Sequence, residues 1–151
     1  MVADLNSVNS YENLVLIVDD EEDYRDLVGS LVLRDIPHAN IIAVEFHNLA
    51  MEVIEEIERQ KLASKVLGAI LDKNGISRIE KPRLKITPIP DSGPLLAQAL
   101  NSIDDTIPLV GITDGHFPAN KTSFVSWIHK GQLDLQLPSL LQTYFLLRFQ
   151  Q

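Results

Sequence analysis

The sequence predicts an α/β fold, a doubly wound parallel sheet of five strands with helices on both faces. Short apolar segments alternate with longer segments whose apolar residues recur at helical spacing. The short segments are apolar at almost every position, which is typical of parallel strands covered on both faces. The chain has 151 residues, the size of one domain with a sizeable core.

The first half of the chain predicts three strands separated by two helices. Residues 14–18, LVLIV, form a short β-rich run, and apolar residues at helical spacing follow over 24–32 until Pro37 ends that helix. Residues 40–46, NIIAVEF, predict the second strand, and an amphipathic helix with a glutamate-rich wet side follows it. Residues 65–72, KVLGAILD, predict a third buried strand.

The second half of the chain predicts two more strands and two helices. Residues 93–100 form a short helix with a proline near its start. Residues 107–113, IPLVGIT, predict the fourth strand, and residues 123–130 predict the fifth. A closing helix is expected over 137–151, opened by the Pro-Ser pair at 138–139.

Composition narrows the classes of function. The net charge is −8 at pH 7, and because a nucleic-acid backbone is bound through clustered Lys and Arg, we expect no nucleic-acid partner. The chain has no cysteine, which excludes disulfides and thiolate metal sites. It shows no signal-peptide pattern and no apolar run of about 20 residues, so we expect a cytoplasmic protein without a membrane partner.

The first strand runs directly into an acidic cluster, DDEED, at residues 19–23. Each carboxylate disfavours ionisation of its neighbour, so the cluster requires either a cation or full exposure to solvent. Residues 21–23 are expected to do no more than favour the positive end of the helix that follows. For Asp19 and Asp20, a cation site and a solvated helix start are both open interpretations.

Polar residues also end the later strands of the predicted sheet. The third strand ends at Asp72, the fourth at Thr113 and the fifth at Lys130. In doubly wound folds the crevice beyond the carboxyl ends of the strands binds ligands, so we expect these side chains to converge with Asp19 and Asp20. Oxygen ligands suit Mg²⁺, which would offset the repulsion among the carboxylates and neutralise phosphoryl oxygens.

This set of residues resembles the receiver domain of two-component response regulators, the CheY-like family. The resemblance covers most of the chain from Leu14 onwards, and it is carried by LIVDDEEDYRDLV, GAILDKNG, IPLVGIT and WIHK. It implies a sheet in the order 2-1-3-4-5 with five helices. It also implies Mg²⁺-dependent transfer of a phosphoryl group from a histidine kinase, a phosphotransfer protein or a small phosphodonor to one aspartate.

The resemblance assigns a role to each strand-end residue. Asp72 matches the phospho-acceptor, and Mg²⁺ would be held by Asp19, Asp20, Asp72 and the backbone carbonyl of Asn74. The phosphoryl group would be bound by Thr113 and Lys130, and Trp127 falls where the family often carries an aromatic switch residue.

Each of these residues also has a purely structural interpretation. Asp72 and Asn74 could be turn residues before a glycine. Thr113 could be a strand-end hydroxyl and Lys130 a solvated edge lysine. Trp127 could simply be packed in the core.

Four features depart from the family pattern. An insert at about 73–92, basic and interrupted by prolines, follows the acceptor and is expected to form a small hairpin, a lid or a tolerated surface loop. Asp114 follows Thr113 where the family usually has a small residue. The 113–130 segment is short, so its helix must be short or irregular. Gly131 stands where a proline often follows the lysine.

Residues 1–13 are interpreted as an N-terminal tail, and residues 14–151 as the receiver-like domain. The leading hypothesis is a phosphoryl-accepting signalling domain that changes its binding to another protein, not an enzyme beyond slow self-dephosphorylation. The alternative is a pseudo-receiver, a protein interaction module independent of phosphorylation. A small Mg²⁺ phosphohydrolase ranks third. The wide apolar surface of the closing helix also suggests a homodimer contact.

Overall fold

Five strands form one parallel sheet in the computed structural model, which describes residues 12–118 and 123–149, at residue 149 the backbone alone. A separate pair of strands forms an antiparallel hairpin. The strands are β1 (Leu14–Val18), β2 (Asn40–Val44), β3 (Val66–Asp72), β4 (Gly75–Ile79), β5 (Lys85–Ile89), β6 (Leu109–Thr113) and β7 (Ser126–His129).

The order of the main sheet is β2-β1-β3-β6-β7, with every neighbouring pair parallel. Counted along the chain, this is the order 2-1-3-4-5, so the predicted fold class is confirmed. Every residue of β1, β3 and β6 is buried, because these three central strands are covered on both faces.

Helices cover the two faces of the sheet and enclose two apolar cores. They are α1 (Glu22–Asp35), α2 (His47–Arg59), α3 (Ser92–Ile103), α4 (Leu133–Leu140), a π-helical turn (Leu141–Phe145) and α5 (Leu146–Phe149). Helices α2 and α3 contribute to one core. Helix α1 and the closing segment from α4 onwards contribute to the other.

The predicted start of the closing helix was wrong. The helix begins at Leu133, and Pro138 lies inside it rather than at its first position. Leu133, Leu137, Leu141 and Phe145 recur every four residues and are all buried, so burial of this stripe overrides the preference of proline for a helix start. The π-helical turn begins three residues after Pro138, and proline lacks the backbone donor that a regular helix requires at its position.

The segment between β6 and β7 contains no helix in its described residues, 114–118 and 123–125. Side chains cover this part of the sheet instead. Trp127 is buried and its ring lies against Gly111, where any side chain on the glycine would overlap the indole. Phe124 packs on the indole with ring centroids 4.5 Å apart.

Of the three forms left open for the insert, the structure shows the hairpin, in which β4 and β5 pair from Gly75 with Ile89 to Ile79 with Lys85. No helix within residues 12–118 and 123–149 has the length and apolar composition that a bilayer crossing requires. Most of the predicted N-terminal tail, residues 1–11, and the last two residues of the predicted closing helix lie outside the described residues.

Candidate functional site

The site lies where β1, β3 and β7 end. Asp19 directly follows β1, Asp72 is the last residue of β3, and Lys130 directly follows β7. Strands β1 and β3 are hydrogen-bonded neighbours, with Val18 beside Leu71, so their carboxyl ends bring Asp19 and Asp72 together.

Three carboxylates converge at this edge. Asp19, Asp20 and Asp72 each offer one oxygen, and the three oxygens lie within 4.8 Å of one another. Asp19 is only 1% exposed and Asp72 7%, whereas Asp20 is half-buried. The interpretation of a merely solvated helix start, which was open for Asp19 and Asp20, therefore fails for Asp19. Glu22 and Asp23 do occupy the exposed first turn of α1, as expected.

The ammonium group of Lys130 lies among these carboxylates. Its Nζ donates to Asp19 Oδ1 at 3.2 Å and to Asp72 Oδ2 at 3.3 Å, and it lies 2.9 Å from Asp19 Oδ2. Lys130 is only 3% exposed. Part of the electrostatic compensation that we expected from a metal ion thus comes from a side chain.

Two further side chains lie close to the Lys130 ammonium. They are Glu21, which directly precedes α1, and Tyr24 in the first turn of α1. Nζ donates to Glu21 Oε1 at 3.2 Å, and it lies 4.5 Å from the centroid of the Tyr24 ring. A cation over an aromatic face is attracted by the ring quadrupole. The expectation that Glu21 serves only the helix dipole was wrong, because its side chain also faces Lys130.

The pKa values reflect an excess of negative charge. Burial and the neighbouring charge of Asp19 raise the pKa of Asp72 to about 8, against the attraction of Lys130. Burial also raises the pKa of Asp19 above its ordinary value. Burial alone would lower the pKa of Lys130, but its hydrogen bond to Asp19 holds that pKa above the ordinary value for lysine. Three carboxylates thus share one ammonium, and Asp20 is a fourth carboxyl group beside them.

Local hydrogen bonds fix the orientation of Asp19. The backbone N–H of Glu21 donates to Asp19 Oδ1 at 2.9 Å, and Arg25 Nη1 donates to the backbone carbonyl of Asp19 at 2.8 Å. Helix α1 begins immediately after this turn. Hydrogen bonds therefore hold both the side chain and the backbone of Asp19 in place.

The end of β3 is fixed by its neighbours. The backbone N–H of Lys73 donates to Ile112 O at 2.9 Å, and that of Gly93 donates to Lys73 O at 3.0 Å. A side chain at Gly93 would collide with the carbonyl of Asp72, so α3 approaches this closely only because that residue is glycine. Lys73 Nζ also donates to His116 O at 3.1 Å.

Three of the predicted site residues do not contact this cluster within the part of the chain that the structure describes. Thr113 is buried at the same sheet edge, where its Oγ1 accepts from the N–H of Gly115 at 3.0 Å. Asn74 closes the neck of the hairpin, since its Oδ1 accepts from the N–H of Asp91 at 3.0 Å. Trp127 is packed in the sheet, and its Nε1 has no hydrogen-bond partner. The proposed roles of all three stay predictions.

Sequence reasoning missed Glu21 and Tyr24 as members of the site. Both lie within five residues of Asp19, and Lys130 follows them by more than 100 positions. One signal was available, because a lysine brought to the end of β1 can also reach the residues that open the next helix. The sequence does not show which of these residues faces the lysine.

The donor set fits a hard divalent cation. It consists of carboxylate oxygens alone, which suit Mg²⁺ better than a soft or imidazole-preferring metal. Asp19 Oδ2 is buried and lies 2.9 Å from the ammonium of Lys130, so an ion bound by this oxygen would displace that ammonium. Asp19, Asp20 and Asp72 are the residues whose side chains could hold the ion.

Comparison with solved structures finds receiver domains. The chain superimposes with a TM-score of 0.62 on a response regulator receiver protein from Sinorhizobium medicae, at 20% identity, over 91% of this chain and 97% of that one. A CheY-like receiver domain protein from Methanospirillum hungatei gives 0.61 at 15% identity, over 91% and 96%. The chemotaxis protein CheY4 of Vibrio cholerae gives 0.59 at 18%, over 88% and 98%.

No protein-family model and no curated protein matches the sequence. The structural likeness covers most of the chain, so the resemblance stated from the motifs is confirmed at the level of the fold. At these identities the likeness establishes the receiver fold, and the chemistry of the site has to be argued from the residues themselves.

Proposed function

Given the receiver fold, we propose that the chain accepts a phosphoryl group on Asp72 and thereby changes its binding to another protein. The observation that carries this proposal is the convergence of three carboxylates and Lys130 at one end of the sheet. The donor would be a histidine kinase, a phosphotransfer protein or a small acyl phosphate. The chain would then be a regulatory component of a cytoplasmic phosphorelay.

The chemistry assigned to Asp72 is a displacement at phosphorus. One oxygen of the ionised carboxylate attacks the phosphorus atom and forms an acyl phosphate, while the bond from phosphorus to the donor nitrogen or oxygen breaks. The donor group leaves with the bonding electron pair and takes up a proton when it is basic. Because the pKa of Asp72 is raised, the reaction requires conditions that favour its ionised form.

Lys130 is suited to follow the charge during this reaction. Its ammonium contacts Asp72 Oδ2 before transfer, and a lysine is a compact charge on a flexible stem that can follow a phosphoryl oxygen. Thr113 would donate its hydroxyl to another phosphoryl oxygen from the same sheet edge.

Mg²⁺ would be held by Asp19, Asp20, Asp72 and the backbone carbonyl of Asn74. When bound, it would neutralise charge on the phosphoryl oxygens and lower the pKa of Asp72. The burial of Asp19 and the spacing of the three carboxylates support this assignment.

The proposal is tested by incubating the protein with acetyl phosphate and Mg²⁺ and measuring intact mass. We expect the wild type to gain the mass of one phosphoryl group, Asp72→Asn to gain none, and chelation of divalent ions to abolish the gain. Asp134→Asn, an exposed acid in the first turn of α4, is the matched control and should react as the wild type does. Equal labelling of wild type and Asp72→Asn overturns the assignment.

Fluorescence of Trp127, the one tryptophan of the chain, tests the switch role separately. Its indole is buried against Gly111 and Phe124, so a change in its packing should change the emission. Beryllofluoride with Mg²⁺ should alter the emission of the wild type and leave that of Asp72→Asn unchanged. An unchanged wild-type spectrum, with labelling intact, removes Trp127 from the switch.

A second function is favoured by the ammonium of Lys130, which already compensates Asp19 and Asp72. On this alternative the chain is a pseudo-receiver, a protein interaction module independent of phosphorylation. The hairpin insert and the lack of a helix in the described residues between β6 and β7 favour it too. It requires partner binding to be equal for wild type and Asp72→Ala, whereas a partner selective for the phosphorylated form excludes it.

A further inference from the structure

The hairpin of β4 and β5 is held firmly against helix α2. Asn48, in the first turn of α2, accepts from the N–H of Arg78 at 2.9 Å through its Oδ1 and donates to the carbonyl of Arg78 at 2.8 Å through its Nδ2. The guanidinium of Arg78 lies 5.8 Å from the ring centroid of Phe46, and Ser77 is buried. The insert is therefore a fixed projection of the surface.

The hairpin presents apolar and basic groups to solvent. Ile79, Leu84 and Ile86 each leave about half of their surface exposed, an unusual density for one short hairpin. Lys81, Arg83 and Lys85 have no carboxylate within 4 Å among the described residues; the hairpin's one acidic residue, Glu80, pairs with Arg78 instead. This basic surface stands on a chain whose net charge is −8.

An acidic surface adjoins it on α2. Glu52 and Glu55 follow Asn48 by four and seven residues, so they share the helix face that contacts the hairpin. Glu58 follows Glu55 by three residues, and Arg59 follows Glu55 by four and stands on the same face. All three glutamates of this stripe are exposed, and within residues 12–118 and 123–149 none of them forms an ion pair. The nearby Arg59 is engaged by Glu56.

Two adjacent patches of opposite charge can be matched by a second copy of the chain across a two-fold axis. In such an interface the same surface is used by both copies, so the hairpin of each copy meets the glutamate stripe of the other. The exposed apolar side chains of the hairpin would be covered at the same time. Complementary charge gives specificity to a contact of this kind.

We propose that the hairpin and the glutamate stripe, Glu52, Glu55 and Glu58, form a self-complementary surface through which two copies of this chain associate. This proposal goes beyond phosphoryl transfer and does not depend on it. It also places the contact away from the closing helix, where the sequence suggested one. In that helix Leu141 and Phe145 are committed to the core.

Reciprocal charge reversal tests the proposal. The hairpin-reversed variant carries Lys81→Glu, Arg83→Glu and Lys85→Glu, and the helix-reversed variant carries Glu52→Lys, Glu55→Lys and Glu58→Lys. Mass is measured by light scattering after gel filtration at a loading of about 100 μM, which saturates a micromolar contact. The wild type should be dimeric in about 0.05 M salt and shift towards monomer in about 0.5 M salt.

Each reversed variant alone should be monomeric, because both contacts become repulsive. An equimolar mixture of the two should form a heterodimer, since each reversed surface then meets its complement. Circular dichroism with thermal unfolding confirms that the variants are folded, which is expected because all six side chains are exposed.

Three results overturn the proposal. One is a wild type that is monomeric under all conditions. Another is a dimer that survives hairpin reversal but is lost on Leu147→Glu in the closing helix. The third is a monomeric wild type that binds phosphatidylserine vesicles through the hairpin, which would assign the basic surface to a membrane.

Discussion

Two cationic side chains near the end of the chain reach opposite edges of the sheet, and their surroundings differ. Lys130 lies at the carboxyl ends of β1 and β3 and faces three carboxylates directly. Arg148 lies near the amino ends of β3 and β6. It donates to Val66 O at 2.6 Å, Ala63 O at 3.1 Å and Asp104 Oδ2 at 2.8 Å, and also to the hydroxyl of Thr106.

The two clusters differ in charge balance. Arg148 meets one carboxylate and three neutral oxygens, and no buried polar side-chain atom in that cluster is left without a partner. Partial burial opposes it, but hydrogen bonds from Thr106 and Arg148 hold the pKa of Asp104 below its ordinary value. Around Lys130 the pKa of Asp72 is raised, and three carboxylates contact a single ammonium.

The ion pair of Arg148 therefore stabilises the fold, whereas the ion pairs of Lys130 belong to the candidate functional site. A balanced cluster stabilises the closing segment against the sheet. An unbalanced cluster stores unfavourable electrostatic energy that a further cation or a reaction can relieve. Four substitutions can break or sharpen this distinction.

The largest effect is expected for Lys130→Met in metal-free protein. The change leaves Asp19 and Asp72 buried without their cation, which should lower the free energy of unfolding by about 4 kcal/mol. Mg²⁺ at about 100 times its Kd should return about 2.7 kcal/mol of this loss. Urea unfolding with and without Mg²⁺ measures both quantities. A loss that Mg²⁺ does not reduce contradicts the metal assignment.

Arg148→Met should lower the free energy of unfolding by about 3 kcal/mol, because two backbone carbonyls and Asp104 lose their donor. Mg²⁺ should not reduce this loss of stability, because the Arg148 cluster has no surplus negative charge. Arg148→Lys is the matched control and should recover part of the loss, as it keeps the charge without the fork of donors. Equal rescue of both methionine variants by Mg²⁺ would erase the distinction between the clusters.

Asp72→Asn should raise the free energy of unfolding of the metal-free protein, in contrast to the two preceding substitutions. The pKa of Asp72 is raised from 3.8 to about 8, so the folded state binds more protons than the unfolded state between these values. Wild-type stability should therefore fall as pH rises through this window, and the gain from Asp72→Asn should grow with pH and be largest near pH 8. Urea unfolding across pH measures it. A gain that is independent of pH rules out this electrostatic origin.

Glu21→Gln should have the smallest effect. Its side chain is 49% exposed, so its ion pair with Lys130 contributes about 0.5 kcal/mol at most after solvent screening. Thermal unfolding should barely distinguish the variant from wild type, and about 0.5 M salt should remove the difference. A loss comparable with that of Lys130→Met would show that Glu21 belongs to the core of the cluster.

Most of the fold could be predicted because the signals are local and repeated. Each strand of the main sheet is a short apolar run, and the doubly wound topology then places Asp19, Asp72 and Lys130 at one edge. The hairpin was one of three forms that the sequence left open for the insert, because basic and proline-rich composition alone does not choose among them.

Other features depend on tertiary packing, which can override the local preferences that a sequence shows. The start of the closing helix was misplaced because Pro138 resembles a helix start, while the buried stripe from Leu133 to Phe145 decides the outcome. The covering of β6 by Trp127 depends on the space left at Gly111. That glycine was visible within IPLVGIT, but its partner was not.

Crystals grown with Mn²⁺ in place of Mg²⁺ test the central claim most directly, because anomalous scattering locates the ion without reference to activity. We expect one anomalous peak per chain, coordinated by oxygens of Asp19, Asp20 and Asp72, with Lys130 shifted from its place among the carboxylates. Absence of a peak at this sheet edge, with Lys130 unmoved between Asp19 and Asp72, would contradict the central claim.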